Sequence, residues 1–318
     1  MTVESWVRWR GQQWLWRPHV GPVSRGLGAL AGRISTPAHL PRVEPGTPRT
    51  LVVGGLALGG DGKTAIVEHL ARRLSARGTV AIVGHGYRAA HRQIAEVHAP
   101  DGAAFGDEAA ALRRALPADV RIFIGPERRA TWRVACAHAE TVLIDGGLFD
   151  RAQPRSLTIA AVDATAPRGV VPAGPLRAPI GALAAADAIW LHRVDEPGAT
   201  PLPAPLAASV QSGLAPRGVR LADGQQLGAD WLRGRAVRPI CGIARPASFH
   251  HLLARAGARL LPGCTRADHH RFAPGELRRL PRDAAWVITA KDAERWPSSL
   301  PAVVVDVELR VLAGEYTV

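Results

Sequence analysis

The sequence predicts an α/β chain: a mostly parallel sheet with helices on both faces, followed by a smaller C-terminal α/β domain. Three features carry the prediction. Buried-type apolar runs of strand length alternate with amphipathic helical segments from about residue 49 onward, a Gly-rich turn separates the first strand from the first helix, and the alternation resumes beyond a stretch rich in Pro and Ala at 201–216. Such alternation needs crossover helices, and these cover a parallel sheet on both sides.

In chain order, residues 1–36 carry Trp6, Trp9, Trp14 and Trp16 interleaved with Arg8, Arg10, Arg17, Arg25 and Arg33. On a helix Trp6, Trp9 and Trp16 share a face, and indole rings beside guanidinium groups suit a membrane interface. The other reading is a helix packed on the protein's own body, cut short by Pro18 and Gly21. Residues 50–58 then read as a buried strand, 59–62 as a tight loop, and 63–76 as a helix with Ile66, Val67, Leu70 and Leu74 on one side. Strands follow at 80–83, 121–124, 141–144 and 158–162, with helices at 108–116 and 126–137. Beyond 201–216 come a strand at 237–243, a helix at 247–256, and strands at 286–289 and 302–307. The expected division is a membrane-associating segment at 1–36, a nucleotide-binding domain at 37–205 and a smaller domain at 206–318.

At 318 residues and 47% apolar, the chain suits two cores rather than one. Its apolar runs fall short of the roughly 20 residues a spanning helix requires. The N-terminus lacks the apolar core of a signal peptide, so a cytoplasmic protein is expected. Cys136, Cys241 and Cys264 are odd in number and widely spaced, the pattern of reduced thiols rather than of a disulfide frame or zinc site. A formal charge of +13 attracts nucleic acid, anionic membrane and anionic substrate alike. A basic nucleic-acid-associated NTPase is therefore a rival reading, but the chain shows no zinc finger or RNP motif, and no nucleic-acid partner is expected. Lys63 and Lys291 are the only lysines among 40 Lys and Arg, so the two that stand against this bias toward Arg mark places where a compact ammonium is needed.

Lys63 lies in Gly59-Gly60-Asp61-Gly62-Lys63-Thr64, between the first strand and first helix. Glycines let backbone N–H groups turn toward an anion, and the helix N-terminus adds partial positive charge. In that setting Lys63 meets the β- and γ-phosphates of ATP and Thr64 offers its hydroxyl to Mg²⁺, which makes the sheet P-loop NTPase-like. Ala57 stands where the strict pattern has its first glycine, and Asp61 puts a carboxylate in the loop, where it repels phosphate unless it points away or is paired.

The motifs from here onward resemble those of the tetraacyldisaccharide 4'-kinase family. Residues 53–64, VGGLALGGDGKT, are similar to that family's VGNxTxGGTGKT loop, which also lacks the first glycine. His85-Gly86-Tyr87 resembles SRGYG, Gly106-Asp107-Glu108 its GDE, Glu127-Arg128 its DR, and 145–150, DGGLFD, its DDGxQH. Residues 172–179, PAGPLRAP, resemble PAGPLREP, and GIARP at 242–246, DHHRF at 268–272 and TAKDA at 289–293 resemble GIARP, DHHxF and TEKDA. The order is consistent from about 50 to 295.

The resemblance implies a lipid kinase that transfers the ATP γ-phosphate to the 4'-hydroxyl of an acylated disaccharide 1-phosphate in lipid A synthesis. It would be a cytoplasmic protein, peripheral on the inner membrane of a Gram-negative bacterium, with no obligate protein partner evident. By the same resemblance Asp107 accepts the hydroxyl proton with His269 as its dyad partner, while Thr64, Glu108 and Asp145 serve Mg²⁺. Arg177, His85 and Tyr87 then bind substrate, a structural ion pair being the other reading of Arg177. Read from the residues alone, Asp107 is an N-cap before it is a base, since Gly-Asp-Glu opens a helix. The departures cluster: Gly146 replaces the family's second Asp, Phe149 its Gln, Asp150 its His, and His85 the Arg of SRGYG. A homologue that binds nucleotide or lipid without efficient turnover is the alternative.

Overall fold

The computed structural model describes residues 42–86, 89–91, 93–150 and 152–316. The Trp/Arg segment at 1–36 and Tyr87 therefore lie outside the described residues. The chain divides into two compact units, the first running to Gly213 and taking in the chain again from Val311, the second spanning Leu214–Arg310.

In the first unit, strands β1 (Arg49–Gly55), β2 (Val80–Gly84), β3 (Ala95–Glu96), β4 (Arg121–Ile124), β5 (Thr141–Asp145), β6 (Leu157–Asp163) and β7 (Ala188–His192) form one sheet. Their order is β7-β6-β1-β5-β2-β4-β3. Every pairing in it is parallel except β3 with β4. Helix α1 (Lys63–Ser75) buries Ile66, Val67, Leu70, Ala71 and Leu74. Two acid-rich or small-residue helices follow, α2 (Gly102–Phe105) and α3 (Asp107–Ala115), and then α4 (Arg128–Cys136). Trp132 and Ala135 of α4 pack on Val52, Ala81, Val83, Val142 and Ile144. Side chains alternate along a strand, so Leu51, Val53, Ile82 and Leu143, all fully buried, face the opposite side. A sheet buried on both faces explains why these strands read as continuous apolar runs.

β1 is an interior strand, third in this order, and after β5 on one side of it the chain crosses to β6 on the other, so the winding reverses beside β1 and the crevice for a ligand lies at its carboxyl end. Glycine, Asp145, Asp163 and His192 end β1, β5, β6 and β7 respectively, all on that side.

The second unit contains β8 (Val210–Arg220, which begins in the first unit), β9 (Gln226–Gly228), β10 (Ala236–Cys241), β11 (Arg259–Leu260), β12 (Cys264–Thr265), β13 (Ala285–Thr289) and β14 (Val303–Gly314, which ends in the first). Its main order is β11-β10-β13-β14-β8. Helix α5 (Pro246–Arg255) places Phe249, Leu252 and Leu253 against Val237, Cys241 and Val287. Ile240, Trp286 and Ile288 point the other way, into a cluster with Phe272 and Leu277. The stretch read as a Pro-rich boundary is partly strand: Pro216 lies within β8. Cys136, Cys241 and Cys264 are free thiols, and burial pushes Cys241 up to about 12.

Candidate active site

The loop after β1 ends at Gly62, the N-cap of α1, which sits at φ +81 where only glycine is unstrained. No side chain caps this helix and its first turn holds no acid, so its amides are left for an anion. Asp61 does not face that anion. Its side chain turns beneath the loop, 2% exposed, and Oδ2 accepts the Ala57 N–H at 3.0 Å. A Cβ on Gly55 would fall 1.9 Å from the same oxygen, so β1 has to end in glycine. Burial raises the Asp61 carboxyl to about 6, against the pull of the Lys63 ammonium at 3.9 Å and of the Ala57 amide.

Thr64 Oγ1 donates to Asp145 Oδ2 at 3.1 Å. Beside this pair opens a cavity of about 410 Å³, whose polar wall includes Lys63, His85, Glu108, Arg128, Asp145 and Arg177. Arg177 reaches it because the PAGPLR segment is stitched to the rising limb of the loop. Leu58 N–H donates to Pro175 O at 2.9 Å and Arg177 N–H to Leu56 O at 2.7 Å, around a bridge between Ala57 and Leu176.

Gly106, at φ +87, occupies the cap position of α3, and Asp107 is the first helical residue. Asp107 is buried, and its Oδ1 accepts the adjacent Glu108 N–H at 3.0 Å. The cap role open to it from sequence falls to its neighbour. Glu127 does cap a helix, accepting the N–H groups of Arg129 and Ala130 at 2.8 and 2.6 Å, which fixes the start of α4 with Arg128 at the cavity. The Arg128 guanidinium lies along Gly146 and Gly147 and 3.7 Å from Asp150. Gly146 sits at φ +93, and an added Cβ would stand 3.3 Å from Arg128 Nη2, so the Asp-Gly-Gly turn is shaped to this arginine.

His269 belongs to the second unit, at φ +60. Its N–H donates to Gly242 O at 3.0 Å, and Asp268 Oδ2 stands 3.7 Å from its Nε2. Gly242 N–H donates in turn to the buried Asp292 at 3.0 Å, and Arg295 reaches both Gly242 O and Asp292. Three separated motifs thus meet at Gly242. Burial raises the Asp292 carboxyl, opposed by Arg295.

Sequence reasoning missed a buried polar group under the phosphate loop. Arg193 Nη1 donates to Gly60 O at 2.7 Å and to Asp163 Oδ2 at 2.8 Å, and Arg193 Nε lies 3.5 Å from Glu196. His192 packs on Gly62, and its Nδ1 is 2.9 Å from Ser212 Oγ. Burial, then the Arg193 charge, holds His192 far below the usual imidazole value, so the ring is neutral. The one available signal was polar residues ending apolar strands.

Residues 22–316 match the family described as tetraacyldisaccharide-1-P 4'-kinase. The chain belongs to this family. A tetraacyldisaccharide 4'-kinase of Anaeromyxobacter sp. (strain K) is 38% identical over 341 residues, covering 93% of this chain and 88% of that one. One from Azoarcus sp. (strain BH72) is 33% identical over 310 residues, covering 95% and 89%. Among solved structures, the "apo" form LpxK from Aquifex aeolicus in complex with ATP matches with a TM-score of 0.68 at 19% identity, over 98% of this chain and 95% of that one. That likeness shows that the two chains share a fold.

Proposed function

We infer that the protein is an ATP-dependent lipid kinase that phosphorylates the 4'-hydroxyl of a tetraacyldisaccharide 1-phosphate in lipid A synthesis. The observation that carries this reading is one cavity bounded by Lys63 of the phosphate loop, by Asp145 and Glu108, and by Arg177 on a segment stitched to that loop. Phosphoryl transfer needs positioning and charge neutralisation more than covalent chemistry, and this wall supplies both.

Residues 59–64 cradle the nucleotide's phosphates through backbone amides, and the Lys63 ammonium neutralises their outer oxygens. The Thr64 hydroxyl and Asp145 carboxylate are adjacent hard oxygen donors, with Glu108 on the same cavity, a set that fits Mg²⁺. Mg²⁺ bound there withdraws charge from the phosphate oxygens. Asp107 takes the proton of the attacking hydroxyl, oriented by His269. Arg177, with His85 and Tyr87, holds the acceptor, a planar guanidinium being matched to phosphate.

Among the described residues no helix is long and apolar enough to cross a membrane. We assign contact with the cytoplasmic face of a Gram-negative inner membrane to residues 1–36, whose Trp and Arg content suits an acceptor that stays in the bilayer. Because Asp61 is turned beneath the loop, its charge is no obstacle to nucleotide, which leaves the departures at His85, Gly146, Phe149 and Asp150 as the ground for the weakened-homologue alternative.

The test is incubation of the purified protein with ATP, Mg²⁺ and the disaccharide lipid, with Asp107→Ala as control. Phosphate added at the 4' position by the parent and not by the variant supports the assignment. Bound ATP with no lipid product sinks it.

A further inference from the structure

We propose that Arg193 is a positioning residue for phosphoryl transfer, holding the phosphate loop in its anion-binding form from beneath. The inference rests on the lipid kinase reading and adds a residue to it.

Three consecutive loop residues are gripped from the underside. The Gly60 carbonyl accepts from Arg193 Nη1 at 2.7 Å, Asp61 is buried against Gly55 with its Oδ2 on the Ala57 N–H, and Gly62 lies on the His192 ring. A peptide unit whose carbonyl is pulled down presents the following N–H upward, so anchoring the Gly60 carbonyl aims the next amide at the ligand side. The same Nη1 donates to Asp163 Oδ2 at 2.8 Å, and Asp163 is fully buried at the end of β6, so the anchor is tied to the sheet rather than to another loop.

Two further observations separate this from ordinary surface bracing. Arg193 is 8% exposed and holds φ at +61, one of two non-glycine residues in the left-handed region among those described. An arginine pays backbone strain there only when its surroundings fix it. Charge placement gives the second. Beneath the loop lie three carboxylates, Asp61, Asp163 and Glu196, with Arg193 in contact with two of them and Lys63 near the first. Lys63 at 3.9 Å is beyond hydrogen-bond range of Asp61 and is therefore available to turn toward phosphate. Once it does, Arg193 stays paired with Asp163 and Glu196, with Arg168 also close to Asp163, and the loop keeps its shape through the exchange.

The experiment compares the parent with Arg193→Lys, Arg193→Gln and Asp163→Asn. It measures binding of ADP and of a non-hydrolysable ATP analogue by calorimetry, lipid KM and kcat by turnover, and melting temperature. Arg193→Gln is expected to weaken both nucleotides about tenfold or more, with the lipid KM within about twofold. Lysine should restore part of the loss, added methylguanidinium should rescue the glutamine variant, and Asp163→Asn should weaken nucleotide without adding to Arg193→Gln in the double variant. Unchanged nucleotide affinity in a folded Arg193→Gln overturns the proposal, as does an equal loss for lipid and nucleotide. If Arg193→Gln does not fold, the lysine and Asp163→Asn variants decide on the same readings. A parent that binds nucleotide but phosphorylates no lipid would refute the lipid kinase reading alone, since the nucleotide affinities stand apart from it.

Discussion

The hydroxyl of Thr64 donates to Asp145 Oδ2 at 3.1 Å, tying the first turn of the helix after the phosphate loop to the end of strand β5. The two residues are 81 positions apart and meet because β1 and β5 are parallel neighbours, with Val53 opposite Asp145. Under the proposed function, hydroxyl and carboxylate so placed would be part of the protein's share of a Mg²⁺ site, with Glu108 on the same cavity. Thr64→Val and Asp145→Asn are each expected to lower turnover about 100-fold or more and to raise the Mg²⁺ concentration for half-maximal rate. Melting temperature should move by only a few degrees. Turnover that persists in excess chelator contradicts the assignment.

Asp61 makes stability depend on pH. Its carboxyl titrates near 6 in the folded chain against an ordinary 3.8, first because it is buried. Between those values the folded chain binds the proton more tightly than the unfolded chain does. The contribution is therefore whole below about 3.8 and is lost as pH rises through about 6, a change on the order of 2–3 kcal/mol. Asp61→Asn keeps the acceptor for the Ala57 amide and removes the charge. Denaturant titrations should show it gaining on the parent from pH 4 to 7 and parallel to it above. A difference that stays constant with pH would refute the buried charge.

Gly62→Ala should abolish nucleotide binding for two separable reasons. The residue sits at φ +81, which costs a side chain about 1 kcal/mol or more, and its Cβ would stand 2.3 Å from His192 Cδ2. His192→Ala added to Gly62→Ala relieves the collision and leaves the strain, so the double variant should recover part of the lost ATP affinity. No recovery would mean that the backbone conformation alone decides.

The elements around the phosphate loop were legible because their signals are local. The glycines, Lys63 and Thr64 lie in six residues, and the helix that follows shows its apolar face every three or four positions. The resemblance drew Asp145, Glu108 and Arg177 toward one site, and the cavity joins them. What stayed hidden is built from distance. Arg193 contacts Gly60 across 133 residues and Asp163 across 30, and β7, which delivers it, was not read as a strand. Nor does sequence give a side chain's direction: Asp61 reads as a charge aimed at phosphate until β1 is seen to end in a glycine that admits it underneath. Pro216 misled in the same way, since proline suggested a linker where β8 tolerates it.

Asp107 allows catalysis and helix capping to be told apart. An N-cap lost to Ala costs about 1 kcal/mol of stability and leaves chemistry alone, whereas a general base lost costs roughly 100- to 10,000-fold in rate. Gly106 already fills the cap position, and Asp107 Oδ1 accepts the N–H of the next residue. Asp107→Asn retains that acceptor and the residue's volume but is a far weaker base. It should lower kcat by at least about 100-fold with ATP affinity and melting temperature unchanged. His269→Ala should lower kcat less, and the two losses should not add if the pair acts as one unit. Multiplying losses would assign them independent roles, and a melting temperature that falls with full activity retained would return Asp107 to the helix end.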